Sequence, residues 1–339
     1  MALLQTVQVA LTDGRNGSGE MEEPISSSSK GKWTKRLDIL YRDEILIQES
    51  SFARLFKCLP NLQIIVQRGK PLIINRSDAR LSIFVVLPEL VTRSLHVLDI
   101  KCQFDIGPCS KDAYPDAPSI IDAIGNQPLH TLKVFPVTKD LSFRQHAFLS
   151  SLECLDAPRH FTRSILASTC TTPKLTQITL SFGHDNELVS SRKCFARIGA
   201  GLGELQLQIV DPTHIQQSLR DVADLCPNLR NLIVPLDSLT VGLLSGHLPP
   251  VRNLGIHPRL SLWDWEWRSE QSMVMLWESI CSKLMELIPE MPNLRIVRLL
   301  DELPYKGDPF VLKAVATSKI LTQAGVRFED WTGQIFHKD

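Results

Sequence analysis

The tripeptide Pro-Asn-Leu occurs three times, in "CLPNLQIIV" at 58–66, "LCPNLRNLIVPL" at 225–236 and "EMPNLRIVRLL" at 290–300. Proline lacks the backbone donor needed to continue a helix, and asparagine tolerates turn geometry. Pro-Asn therefore ends a helix and swings the chain around, and the leucine enters the next buried strand. A corner that recurs constrains the fold more than any composition does. It predicts strand–helix units stacked on one another.

Two copies continue as Leu-x-x-φ-x-φ, with φ apolar: Leu229, Leu232, Val234 and Leu294, Val297, Leu299. The third keeps Leu62 and Ile65 but then has Gln67. The same frame reads at Leu95/Leu98/Ile100, Leu129/Leu132/Val134, Leu152/Leu155/Ala157, Leu175/Ile178/Leu180, Leu202/Leu205/Leu207 and Val251/Leu254/Ile256. Weaker fits are Leu4/Val7/Val9, Thr34/Leu37/Ile39 and Leu321/Ala324/Val326. Successive anchors lie 22 to 34 residues apart, with one gap of 43.

With 43% hydrophobic residues, such a template matches about 8% of windows by chance, so the frame needs a test on a position not used to find it. The residue between the last two apolar positions should face the opposite side of a strand. That column reads Gln8, Asp38, Val66, Asp99, Lys133, Asp156, Thr179, Gln206, Ile233, Gly255, Arg298, Gly325. Only Val66 and Ile233 are apolar, against about five expected from composition.

Helical patterns fall between the strands. Thr213 and Gln216 form a capping box ahead of Ile215, Leu219, Val222 and Leu225, which share one face. Phe52, Leu55, Phe56 and Leu59 do the same before Pro60. The longest predicted helix runs over 272–288, with Met273, Leu276, Trp277, Ile280, Leu284 and Leu287 on its apolar face and Pro289 ending it. Asp308-Pro309 opens another, which Gly325 closes.

Such a unit resembles a leucine-rich repeat. More narrowly, the irregular periods and the "LCPNLRNL" and "MPNLRIVRLL" corners resemble the repeat region of fungal F-box-type leucine-rich-repeat proteins. The resemblance implies an α/β fold: an irregular solenoid with parallel strands on the concave side and helices on the convex side. It spans 34–339, with 1–33 a first strand or N-terminal tail carrying a flexible polar loop, "GSGEMEEPISSSSKGK". The asparagine or cysteine that standard repeats place after the strand is replaced by Lys70, Gln103, Val137, Gly183, Asp237 and Glu302, which predicts an uneven arc. No F-box is recognisable. "LPEL" at 87–90 matches its signature by letters but reads as another corner before the strand at Leu95.

Charge bounds the partners. Lys+Arg and Asp+Glu both number 37, so the formal net charge is zero, and "KGKWTKR" at 30–36 is the one basic run. Nucleic-acid binders need a basic surplus to release counterions from phosphates, so none is expected. No apolar run approaches the ~18 residues of a membrane span, and the opening "MALLQTVQVALTDG" lacks the positive flank of a signal peptide. The eight cysteines are scattered without CxxC pairs and read as reduced, mostly buried thiols of a cytoplasmic or nuclear protein.

Catalytic patterns are sparse. "GAGLGE" at 199–204 follows a helical stretch and precedes a strand, the reverse of a dinucleotide loop, and reads as a helix C-terminus with glycines in left-handed backbone. "CLDAPRH" sets Cys154, Asp156 and His160 close in sequence, which leaves a cysteine-dependent hydrolase as the alternative function. His184 and Asp185 lack further ligands at metal-binding spacing. No catalytic, cofactor or metal residue is assigned.

The expected function is non-enzymatic protein–protein recognition, as in the substrate-binding region of an F-box protein, with a purely structural scaffold also open. The partner-facing residues are then the outward column: Asp38, Asp99, Lys133, Asp156, Thr179, Gln206 and Arg298. "LWDWEW" adds Trp263, Trp265 and Trp267, which share a face on a strand and form either a cover for the long helix or an aromatic hot spot. The resemblance implies components of an SCF ubiquitin ligase among the partners. The register has a direct test by denaturant unfolding. Leu232→Asp should cost ~3 kcal/mol or more by burying a charge, whereas Lys133→Ala should change stability by less than about 0.5 kcal/mol.

Overall fold

The computed structural model describes residues 5–11, 34–41, 55–68, 94–101, 127–135, 150–156, 172–182, 188–209, 215–235, 249–257, 270–300 and 308–336. The chain divides into two compact units, Met1–Leu175 and Thr176–Asp339.

In the first unit the described strands are β1 (Gln5–Leu11), β2 (Thr34–Tyr41), β3 (Ile64–Arg68), β4 (Val97–Lys101), β5 (Thr131–Phe135) and β6 (Cys154–Asp156). Each pairs in parallel with the next in sequence. Leu37, Ile65, Leu98, Leu132 and Leu155 occupy one continuous register row and are fully buried. Gln67 stays in the inward position that breaks the pattern, between Ile39 and Ile100 and only 2% exposed. A helical turn at 55–57 precedes the first Pro-Asn-Leu corner, with Leu55, Phe56 and Leu59 buried as expected.

The second unit holds β7 (Gln177–Phe182), β8 (Glu204–Ile209), β9 (Asn231–Pro235), β10 (Asn253–His257), β11 (Ile296–Leu299) and β12 (Arg327–Glu329), again all parallel. Its inward row is Ile178, Leu205, Leu232, Leu254, Val297 and Phe328, all buried. Among the described residues, four helices lie between these strands: α1 (Leu188–Ile198), α2 (Ile215–Leu225), α3 (Glu270–Leu287) and α4 (Asp308–Gln323). Their buried faces carry Phe195, then Leu219 and Val222, then Ile280, Leu284 and Leu287, then Ala314 and Val315. Arg192 on α1 reaches Asp221 on α2 at 3.7 Å. Alternating parallel strands and helices on a shared leucine core make this an irregular, leucine-rich-repeat-like α/β solenoid.

The corners show what holds one repeat to the next. In the first unit the carbonyl of Gln63 accepts the N–H groups of both His96 and Val97, that of His96 accepts His130 and Thr131, and that of His130 accepts Glu153 and Cys154. In the second, Thr176, Gly203, Arg230 and Arg252 each accept two N–H groups from the following corner in the same way. Side chains just before the buried leucine add a second bridge. Asn228 donates to the Ala200 carbonyl at 2.8 Å, Ser151 to that of Leu129 at 2.9 Å and Ser94 to that of Leu62 at 3.4 Å. The Asn of "LCPNL" is therefore a tie between neighbouring corners as well as a turn former.

Two local expectations need correction. Gly199–Gly201 does end α1, but as a 3₁₀ turn. Among the described glycines only Gly325 and Gly333 have positive φ. Gly199 is required for contact instead, because a Cβ there would lie 2.3 Å from the Leu225 carbonyl oxygen. The last frame, Leu321/Ala324/Val326, is also misplaced. Leu321 belongs to the buried face of α4, Gly325 ends the helix at φ 77°, and Glu329 instead of Gly325 stands beside Arg298. Apolar spacings of 3 and 2 fit a helix end and a strand start equally well, which is why the frame slipped.

A hairpin then covers β12. Glu329 forms an antiparallel bridge with Ile335, and Phe336 packs on Phe328 with ring centroids 4.9 Å apart. Asp330 ties the turn by accepting the Thr332 and Gln334 N–H groups and the Thr332 hydroxyl. Burial works against its ionisation, but these hydrogen bonds together outweigh it and hold the carboxyl below its ordinary range. The bridge occupies the outer edge of β12 at Glu329, where another chain's strand could otherwise pair.

Gly199→Ala should destabilise the protein by about 1–3 kcal/mol, the range of overpacked sites. Thermal unfolding compared with Gly203→Ala checks this, since a Cβ at Gly203 meets only the Thr176 carbonyl oxygen, at 3.8 Å.

Candidate interaction surface

The predicted outward column is assembled by the strand register into one row in each unit. In the first, Asp38, Val66, Asp99, Lys133 and Asp156 are direct cross-strand neighbours. In the second the row runs Thr179, Gln206, Ile233, Gly255, Arg298 and Glu329. All seven column residues expected to face a partner therefore share a face with their row. Trp263, Trp265 and Trp267 lie outside the described residues, as do His160, His184, Asp185, the "LPEL" segment and the six positions following the strands.

Their exposure differs from expectation. Asp99, Asp156 and Thr179 are buried, at 7%, 8% and 6%. An inner rung has a neighbour about 4.8 Å away on each side, so short side chains in the row are shielded by longer ones. Asp38, Lys133 and Gln206 are half-buried, and Arg298 is exposed. Half-buried Lys133 stands in register between two buried carboxylates, those of Asp99 and Asp156.

Much of the polar face is braced, within a strand or across strands. On β2, Arg36 Nε donates to both carboxylate oxygens of Asp38 at 3.0 Å. Asn253 donates to Asn231 at 2.7 Å, and Asn231 to Glu204 at 3.0 Å, a ladder over three strands. The Gln206 amide nitrogen lies 3.0 Å from Nε2 of His257, spanning β9. Two nitrogens of Arg298 donate to one oxygen of buried Glu329, at 2.8 and 2.5 Å. Ile233 and Leu300 close over Gly255, where a Cβ would come within 3.0 Å of each side chain.

A second row lies one residue after each anchor. It carries Gln63, His96, His130 and Glu153 in the first unit, with the two imidazoles edge-on at 5.2 Å. In the second unit it carries Thr176, Gly203, Arg230, Arg252 and Arg295. Sequence reasoning passed over this row, although "NLRNL", "VRNL" and "NLRIV" show it once the anchors are aligned.

Among the described residues no group of three or more His, Cys, Asp or Glu could hold a metal ion, and no helix is long and apolar enough to cross a membrane. Three thiols are chemically quiet. Burial pushes Cys194 and Cys226 up to about 12, with Cys226 raising Cys194 further, and burial pushes Cys281 up to about 11. Cys154 begins β6 half-buried, and Cys58 is exposed.

No protein-family model matches the chain, and no curated protein matches it. Solved structures similar to it include the leucine-rich repeat-containing protein LegL7 from Legionella pneumophila, at 13% identity over 98% of this chain and 93% of that one, with a TM-score of 0.32. The Rad7 and Elc1 complex in yeast is another, at 13% identity over 80% of this chain and 70% of that one, with a TM-score of 0.34. At these TM-scores the fold assignment rests on the strand register and core described above.

A thiol raised to about 12 forms on the order of a thousandfold less thiolate at neutral pH than an ordinary one. Brief alkylation of the native protein followed by peptide mass spectrometry should therefore label Cys58 and leave Cys194, Cys226 and Cys281 unmodified until the protein is unfolded.

Proposed function

We propose that the chain is a non-enzymatic protein-recognition module, used as the substrate-binding region of an F-box-type protein is used. The observation that carries this reading is the register itself. Each unit aligns its outward residues into one row of mixed charge and polarity, from Asp38 to Asp156 and from Thr179 to Glu329. The accessible members of these rows, Asp38, Lys133, Gln206 and Arg298, give the sheet a polar face of mixed charge that suits the complementary surface of another protein, where charge pattern sets register and specificity. Ubiquitin-ligase components belong to this proposal through the resemblance of the corners. So do a cytoplasmic or nuclear location and the absence of membrane or nucleic-acid partners.

The test is affinity purification of the tagged chain from extract of its own organism, read by mass spectrometry. Wild type should retain a reproducible set of proteins, and a cullin with its adaptor among them would establish ligase recruitment. Lys133→Ala combined with Gln206→Ala should lower recovery of that set at least about fivefold while the variant keeps a cooperative thermal transition. Equal recovery from wild type and the double variant would overturn the sheet face as the interface.

A further inference from the structure

We propose that Arg230, Arg252 and Arg295 form a docking row for an acidic segment of a partner protein, at the rim where the strands of the second unit begin. This deepens the recognition reading and rests on it. The three arginines stand on consecutive rungs. Arg252 N–H bonds to the Arg230 carbonyl at 2.9 Å and Arg295 N–H to the Arg252 carbonyl at 2.8 Å. Hydrogen-bonded neighbours in parallel strands sit about 4.8 Å apart, so the row spans roughly 10 Å. All three residues are exposed.

Among the described residues their charge is uncompensated. Arg36, Arg192, Arg298 and Arg327 each find a carboxylate. Among the described residues no carboxylate pairs with Arg230, Arg252 or Arg295, and the Arg295 guanidinium donates only to the neighbouring Leu294 carbonyl, at 3.3 Å. The corners that carry the row, 226–230, 249–252 and 291–295, contain no Asp or Glu. The nearest acids in sequence, Asp224 and Glu290, lie at the helix ends that precede two of them. Three like charges held in line by a sheet repel one another, and a negative partner relieves that repulsion.

Geometry selects the partner's chemistry. An extended peptide places alternate side chains on one side about 6.8 Å apart, so two carboxylates of an Asp-x-Asp pattern fit within the row. Guanidinium forks match carboxylates with paired hydrogen bonds. Prolines Pro227, Pro249, Pro250 and Pro292 stiffen the same corners, which lowers the ordering cost of binding. A single-stranded nucleic acid would want aromatic side chains for base stacking, and these three corners have none.

The test is fluorescence anisotropy of the intact chain with a labelled peptide of Asp-Ser repeats, beside its Asn-Ser counterpart and a single-stranded oligouridylate. The Asp-Ser peptide should bind and weaken with added salt. Each single Arg→Gln change should cost about 3- to 10-fold in affinity, and the triple change should abolish binding. Arg220→Gln, an exposed control on α2, should leave it unaltered. The triple Arg→Glu variant should exchange preference to a Lys-Ser peptide, which separates a charged docking row from a folding defect. Equal binding of the Asn-Ser peptide, binding that survives the triple change, or tighter binding of oligouridylate through the same arginines would overturn the proposal. A failed peptide titration beside an intact set of co-purifying partners would sink the row and leave the sheet-face reading standing. A wild type that retains no partner would sink that reading whatever the peptide does.

Discussion

At seven of the described corners a single backbone carbonyl receives two N–H groups from the corner that follows, and the rest of each unit is arranged around that shared bond. It fixes the distance between rungs and the starting register of each strand. Once that register is set, the two-residue alternation of a strand decides which side chains are buried. Leu205, Leu232 and Leu254 fall inside because Gly203, Arg230 and Arg252 are held at the corner. A slip of one residue would turn the leucines outward and draw Gln206 and Ile233 inward.

The inward face was legible because it is redundant. Nine anchor-and-strand frames repeat the same spacing, and even Gln67, which breaks the chemistry, keeps its buried place. The outward column was legible in position but not in exposure. Whether Asp99 is shielded depends on the lengths of Val66 and Lys133 beside it, which one strand's pattern does not state. The misplaced final strand shows the other limit, since Leu321 and Val326 are both buried but one belongs to a helix and the other precedes a strand. Gly199 was recognised as a helix end, yet the reason for it, the approach of the Leu225 carbonyl, comes from another repeat.

The two rows of the second unit divide the work of a surface. On the sheet face, the Glu204–Asn231–Asn253 ladder and the Arg298–Glu329 pair use their hydrogen bonds to join strands. Those groups stiffen the platform and have less left for a visitor. At the rim, Arg230 and Arg252 hold their neighbours through the backbone, and among the described residues their side chains are uncommitted. A residue whose main chain does the structural job is free to vary at its side chain.

The anchors are 22 to 43 residues apart in sequence, but every rung advances the sheet by the same inter-strand distance. Chain length between anchors is thus decoupled from position in the sheet. Any segment that leaves a strand and returns to a corner is admissible, whatever its length. The segments between a strand and the next corner are therefore open ground for insertion, deletion and exchange. Such a lineage can drift far in sequence and in size while its ladder stays unchanged, so kinship would be easier to see in rung-by-rung chemistry than in aligned letters.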